Sequence, residues 1–184
     1  MHMVINISRR PGRPSRFATA VVLALTAVVT GVSSAGRGRV EAQALNPCAL
    51  LTNDEIQPLA GNATIADGLP NSLAMGSVRC RYAWGEGTGR FTLDVSVNEP
   101  GRMYPGVTPE RIKQQLLESV REGTADAVIP EVGDAAVFRP DSPVYAGATA
   151  FIKGRILQVH LDGISARDRK DQVIELLKSA AARL

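Results

Sequence analysis

The residues from 45 onward predict an α+β domain: a single twisted, mainly antiparallel sheet of about five strands, with two to three helices packed mainly on one face. Three observations carry that expectation. Apolar and polar residues alternate with period two over Val78–Trp84 and again from Phe91 to Val97, and the two runs are joined by the glycine-rich segment Gly85–Gly89, which is a hairpin signature. A second pair of strand-like runs flanks Lys153-Gly154-Arg155. Helical periodicity lies outside these pairs, so the strands are joined by hairpins and pair antiparallel, with helices laid on the sheet.

The chain opens on a leader. A basic stretch from Arg9 to Arg16 precedes an apolar run from Phe17 to Val32 and then small residues, the order of a signal peptide. Cleavage fits after Ala35 or after Ala44, leaving residues 45–184 as the single domain. The run is shorter than the about 20 residues that a membrane span needs. Residues 1–44 carry six of the 21 basic side chains and one of the 18 acidic ones, which leaves 15 against 17 and turns a net +3 into −2. No basic cluster remains in the domain, and nucleic-acid binding is not expected.

Two cysteines follow, Cys48 and Cys80. In an exported protein the expected state is a Cys48–Cys80 disulfide that staples the entering segment to the first good strand. A catalytic thiol would want a histidine base and a zinc site four ligands; residues 45–184 contain one histidine, His160.

Thr52-Asn53-Asp54-Glu55 has the spacing of a capping box and starts a short helix that strains at Pro58 and stops at Gly61. Residues 62–76 read as a loop, with room for a short strand near Ala63–Ala66. In the first hairpin Val78, Cys80, Tyr82 and Trp84 share one face with Phe91, Leu93, Val95 and Val97, and Arg79 or Arg81 comes opposite Asp94. Glu99–Val107 reads as an irregular loop. Thr108-Pro109-Glu110 then caps a helix with Ile112, Leu116, Leu117 and Val120 as its stripe and Gly123 as its stop. In the second half Ala135–Arg139, Ala148–Lys153 and Arg155–Leu161 are the strands, Pro140–Ala146 is a turn-rich loop, and a helix runs from about Ala166 to Arg183. The two halves resemble each other in layout, which suggests an internal duplication.

Asn46-Pro47-Cys48-Ala49-Leu50-Leu51-Thr52, Cys80-Arg81-Tyr82 and Val132-Gly133-Asp134-Ala135-Ala136 resemble the motifs of small exported bacterial proteins and lipoproteins classed as domains of unknown function. Their shared pattern is Pro-Cys-x-Leu-Leu-Thr, a later Cys-x-Tyr/Trp, and Gly-Asp-x-Ala before the terminal hairpin. The resemblance implies an extracytoplasmic α+β domain with its two cysteines joined, and no activity. This chain lacks the small residues that a lipoprotein carries directly before its lipidated cysteine.

Chemistry-bearing patterns are sparse. Carboxylates are scattered singly, without metal or glycosidase spacing, and Gly85-x-Gly87-x-Gly89 joins strands rather than opening a helix. His160 lies mid-strand on the more polar face and reads as a surface residue. Exposed Tyr, Met and Arg on loops suit contacts, so the expected contact surface is Trp84 at a strand end, Arg102, Met103 and Tyr104 in one loop, and Tyr145 in another. The expectation is a periplasmic or secreted, non-catalytic binding or interaction module. Its expected partner is an envelope protein or a small ligand; it needs no cofactor or metal and meets the membrane only transiently, through the signal peptide. The alternatives are an envelope hydrolase with an unrecognised site and a structural component of the envelope.

Overall fold

The computed structural model describes residues 45–73 and 76–184. The signal peptide and both cleavage sites expected in residues 1–44 lie outside the described residues.

The fold is α+β, built on one antiparallel sheet. In chain order the elements are helix α1 (Asn53–Ala60), strands β1 (Ala66–Ser72), β2 (Val78–Trp84) and β3 (Phe91–Asn98), the one-turn helix α2 (Pro100–Met103), helix α3 (Pro109–Arg121), strands β4 (Ala127–Val128), β5 (Ala135–Ser142), β6 (Tyr145–Ile152) and β7 (Arg155–Asp162), and helix α4 (Lys170–Ala182). The sheet order is β1-β2-β3-β7-β6-β5-β4. Apart from the two-residue β4, it mirrors itself about the line between β3 and β7, with three strands on either side.

Both predicted hairpins form, and Arg81 faces Asp94 across β2 and β3. The sheet has seven strands rather than about five. One addition is β1, whose sequence Ala-Asp-Gly-Leu-Pro-Asn-Ser does not alternate. It is an exposed edge strand held by main-chain pairing to β2, and an edge is where Pro70 is tolerated. The other is the two-residue β4, too short to leave a pattern. The expected 140–146 loop shrinks because β5 runs on to Ser142 and β6 begins at Tyr145. A fourth helix, α2, lies in the stretch that reads as a loop.

One face of the sheet carries the main core. Cys80, Tyr82, Trp84, Leu93, Val95, Val97, Leu157, Val159 and Leu161 pack there against Ile56 and Leu59 of α1 and Val173, Leu176 and Leu177 of α4. The Thr52–Glu55 capping box is present. Arg183, just past α4, donates to both oxygens of Glu55 at 2.8 and 2.9 Å and to the Leu50 carbonyl at 2.8 Å. The Cys48–Cys80 disulfide and two hydrogen bonds from the Tyr82 hydroxyl, to the Cys48 and Leu51 carbonyls at 3.2 and 3.1 Å, fix the entering segment to β2.

The helices do not all share that face. Helix α3 lies over β5 on the opposite side, where Ile112, Ala135, Val137 and Phe151 are buried apart from the main core. Its predicted stripe is only partly used: Ile112 is buried, while Leu117 is exposed.

Candidate functional site

Strand alternation puts a second set of side chains on the face away from α1 and α4. The register aligns them into rungs across the sheet. One rung reads Leu69, Arg81, Asp94, His160, Gly147, Arg139; the next reads Asn71, Arg79, Ser96, Gln158, Thr149, Val137. Beyond that come Asn98, Ile156, Phe151 and Ala135. Polar side chains in the middle of a sheet face need partners or a ligand.

In the first rung the charges are largely matched. Arg81 grips Asp94 at two points, Nε to Oδ1 at 2.8 Å and Nη2 to Oδ2 at 2.6 Å, and Arg79 adds a contact at 3.5 Å. The bond to Asp94 raises the Arg81 pKa further. His160 is half-buried rather than the surface residue expected. Burial lowers its pKa, against the pull of Asp94 and Asp162, so the neutral imidazole is favoured. Tyr145 packs on it at 5.3 Å between ring centroids. Burial first, then Asp141 and Asp162, pushes the Tyr145 phenol up to about 12. Gly147 makes this packing possible, because a Cβ there would come within 2.9 Å of the imidazole. Among the described residues no serine or cysteine hydrogen-bonds to His160, so a neutral base stands without a nucleophile.

The second rung floors a groove. Helix α3 presents Ile112, Gln115, Leu116 and Ser119 toward Thr149, Ile156, Gln158 and Arg139, with Tyr104 and Val107 at one rim, around a volume of about 470 Å³. That volume falls in the range of small-molecule pockets. Ile112, Leu116, Val107 and Ile156 supply apolar wall, and no carboxylate lines it.

Its polar groups have partners on one side only. The Ser77 hydroxyl donates to Asn98 Oδ1, Asn98 Nδ2 donates to Gln158 Oε1 at 3.0 Å, and Ser96 donates to the same oxygen at 3.4 Å. Gln158 Nε2 is left without a protein acceptor among the described residues. Thr149 is only 7% exposed, and its hydroxyl has no hydrogen-bonded partner among them either. Arg139 spends its Nε on the Thr124 carbonyl at 3.2 Å, with Asp141 a loose 3.9 Å from the same nitrogen. Its terminal Nη pair is uncommitted.

The expected contact residues are dispersed. Trp84 is 4% exposed and stacks on Phe91 at 5.7 Å, so it is a core residue and offers no contact surface. Tyr145 opens β6 instead of sitting in a loop. Arg102 and Met103 belong to α2, where Arg102 pairs with Glu99 at 3.5 Å and Met103 is half-buried. Tyr104, 53% exposed, is the one that reaches the groove. Gln158, Thr149 and Arg139 carry no sequence signal of their own; only the register of a complete sheet brings them together.

A second depression of about 410 Å³ lies between α1 and α4, but its Glu55 is held by Arg183 and its Glu175 by Lys178. Among the described residues no cluster of His, Cys, Asp or Glu is arranged to hold a metal ion, and no helix is long and apolar enough to cross a membrane. Comparisons with protein-family models, curated proteins and solved structures find no match to this chain.

Proposed function

We propose that residues 45–184 are an exported, non-catalytic module that binds a small organic ligand in the groove between α3 and the open face of the sheet. The observation that carries this reading is the groove itself, apolar-walled and about 470 Å³ in volume, along which the Thr149 hydroxyl, Gln158 Nε2 and the Arg139 Nη pair have no protein partner among the described residues. Amide chemical-shift mapping with a library of small acids, amines, alcohols and sugars tests it. Shifts clustered on Leu116, Thr149 and Gln158 support the groove; shifts confined to other surfaces would sink it.

Export is supported by the leader pattern and by the Cys48–Cys80 disulfide. The motifs around both cysteines support kinship with the small exported bacterial proteins they resemble, and the mirrored strand order supports a duplicated origin, although α3 and α1 lie on opposite faces. Intact mass of the protein recovered from its producing cells checks export. The expected species starts at Gly36 or Leu45, is lighter by two hydrogens, and resists thiol labelling until reduced. A chain retaining residues 1–35 with free thiols would contradict it.

A further inference from the structure

We infer that the groove selects an anionic amphiphile, a small carboxylate with an apolar body, with Arg139 as its counter-ion. This rests on the groove being the binding site. On the sheet side of the groove the uncommitted polar groups can all donate: the Nη pair of Arg139, Nε2 of Gln158 and the hydroxyl of Thr149, while Gln115 on α3 offers an amide with both a donor and an acceptor end. The chain Ser77 to Asn98 to Gln158 occupies the acceptor end of the Gln158 amide and leaves its donor end free. Asp141, 3.9 Å from Arg139 Nε, lies outside the lining, so a cationic guest would face the guanidinium with no carboxylate in the groove to receive it, and a neutral one would leave the Nη pair unused. Fork-like donation from Arg suits a carboxylate because two parallel bonds match its two oxygens.

The layout also orients the guest. Arg139 and Ile156 belong to rungs four residues apart along the strands, about 13 Å at the rise of an extended chain. The head of the ligand therefore lies at the Arg139 end, and its apolar body runs toward Ile156 under Ile112 and Leu116. Arg139 Nε is fastened to the Thr124 carbonyl in the turn after α3, which sets the position of the fork.

The test is calorimetric titration of the whole domain with octanoate, 1-octanol and octylammonium, repeated on Arg139→Met and on Thr149→Val, with thermal melts confirming that each variant is folded. Thr149→Val keeps the side-chain shape and removes only the hydroxyl. The expected result is octanoate binding at least about tenfold tighter than either analogue, with Arg139→Met weakening octanoate about tenfold and leaving octanol unchanged, as for loss of a charged hydrogen bond. Thr149→Val weakens octanoate by a smaller factor. Equal affinity for octanoate and octanol, unmoved by Arg139→Met, would overturn the anion assignment while leaving the groove in place. Octanoate binding untouched by both substitutions would put the site elsewhere and overturn the groove as well. No binding by any of the three overturns the ligand class, and the shift mapping then judges the groove separately.

Discussion

Asn98 donates from Nδ2 to Gln158 Oε1 across the β3–β7 pair, at 3.0 Å, and that bond decides which end of the Gln158 amide is offered to the groove. Asn98 is itself held by the Ser77 hydroxyl, so a buried pair at the adjoining ends of β2 and β3 sets the chemistry of a cavity floor on the neighbouring β7. Polar groups buried at this depth persist only when their bonds are made.

Replacing Asn98 with Leu removes both bonds and leaves Ser77 and the Gln158 oxygen without their partner. The expected outcome is a loss of about 1–3 kcal/mol in chemical unfolding, together with weaker octanoate binding. Unchanged stability would mean that the Ser77–Asn98–Gln158 chain holds nothing in place.

The disulfide closes a separation of 32 residues. The chain-entropy account gives about 3–4 kcal/mol for a loop of that size. The double variant Cys48→Ala, Cys80→Ala is expected to unfold at correspondingly lower denaturant while keeping its sheet signal by circular dichroism. Equal midpoints for the two proteins would show that Tyr82 and the capping box suffice to hold the entering segment.

Glu55 joins the start of α1 to the end of α4. The hydrogen bonds from Arg183 hold its carboxyl down at about 2, below its usual 4.5, with Thr52 contributing in the same direction and burial opposing. A carboxyl whose pKa is depressed on folding stabilises the protein above its unfolded value, and that contribution fades as pH falls from about 4.5 to about 2. Glu55→Gln is therefore expected to melt lower than the parent at pH 7, with the gap closing on acidification. A gap independent of pH would contradict the assignment.

His160 should titrate below its ordinary 6.5, because burial outweighs Asp94 on β3 and Asp162 on its own strand. Its folded form binds a proton less readily than the unfolded chain, so this group costs stability as pH falls below about 6.5. Imidazole proton shifts followed against pH measure it directly, since residues 45–184 contain no other histidine. A midpoint above 6.5 would show that the carboxylates win.

Local patterns made the frame of this protein legible. Period-two alternation gave both hairpins and their faces, Thr52-x-x-Glu55 and Thr108-Pro109 gave helix starts, and two cysteines in an exported context gave their pairing. Strand β1 stayed hidden because an edge strand held by main-chain bonds needs no alternating side chains. The face chosen by α3 was hidden as well, because its mixed stripe of Ile112, Gln115, Leu116 and Ser119 reads as an ordinary amphipathic helix. The groove was illegible for a deeper reason: Arg139, Thr149 and Gln158 lie on three different strands, and only the pairing of β5, β6 and β7 makes them neighbours. Trp84, an aromatic residue at a strand end, is spent on the core.

The central claim is that the space between α3 and the open sheet face holds a small amphipathic acid. Intermolecular nuclear Overhauser effects between octanoate methylenes and the methyl groups of the domain test it most directly. The account predicts contacts from the chain to Ile112, Leu116 and Ile156. Contacts only to exposed apolar residues outside the groove, such as Leu69, Val144 or Ile164, would contradict it.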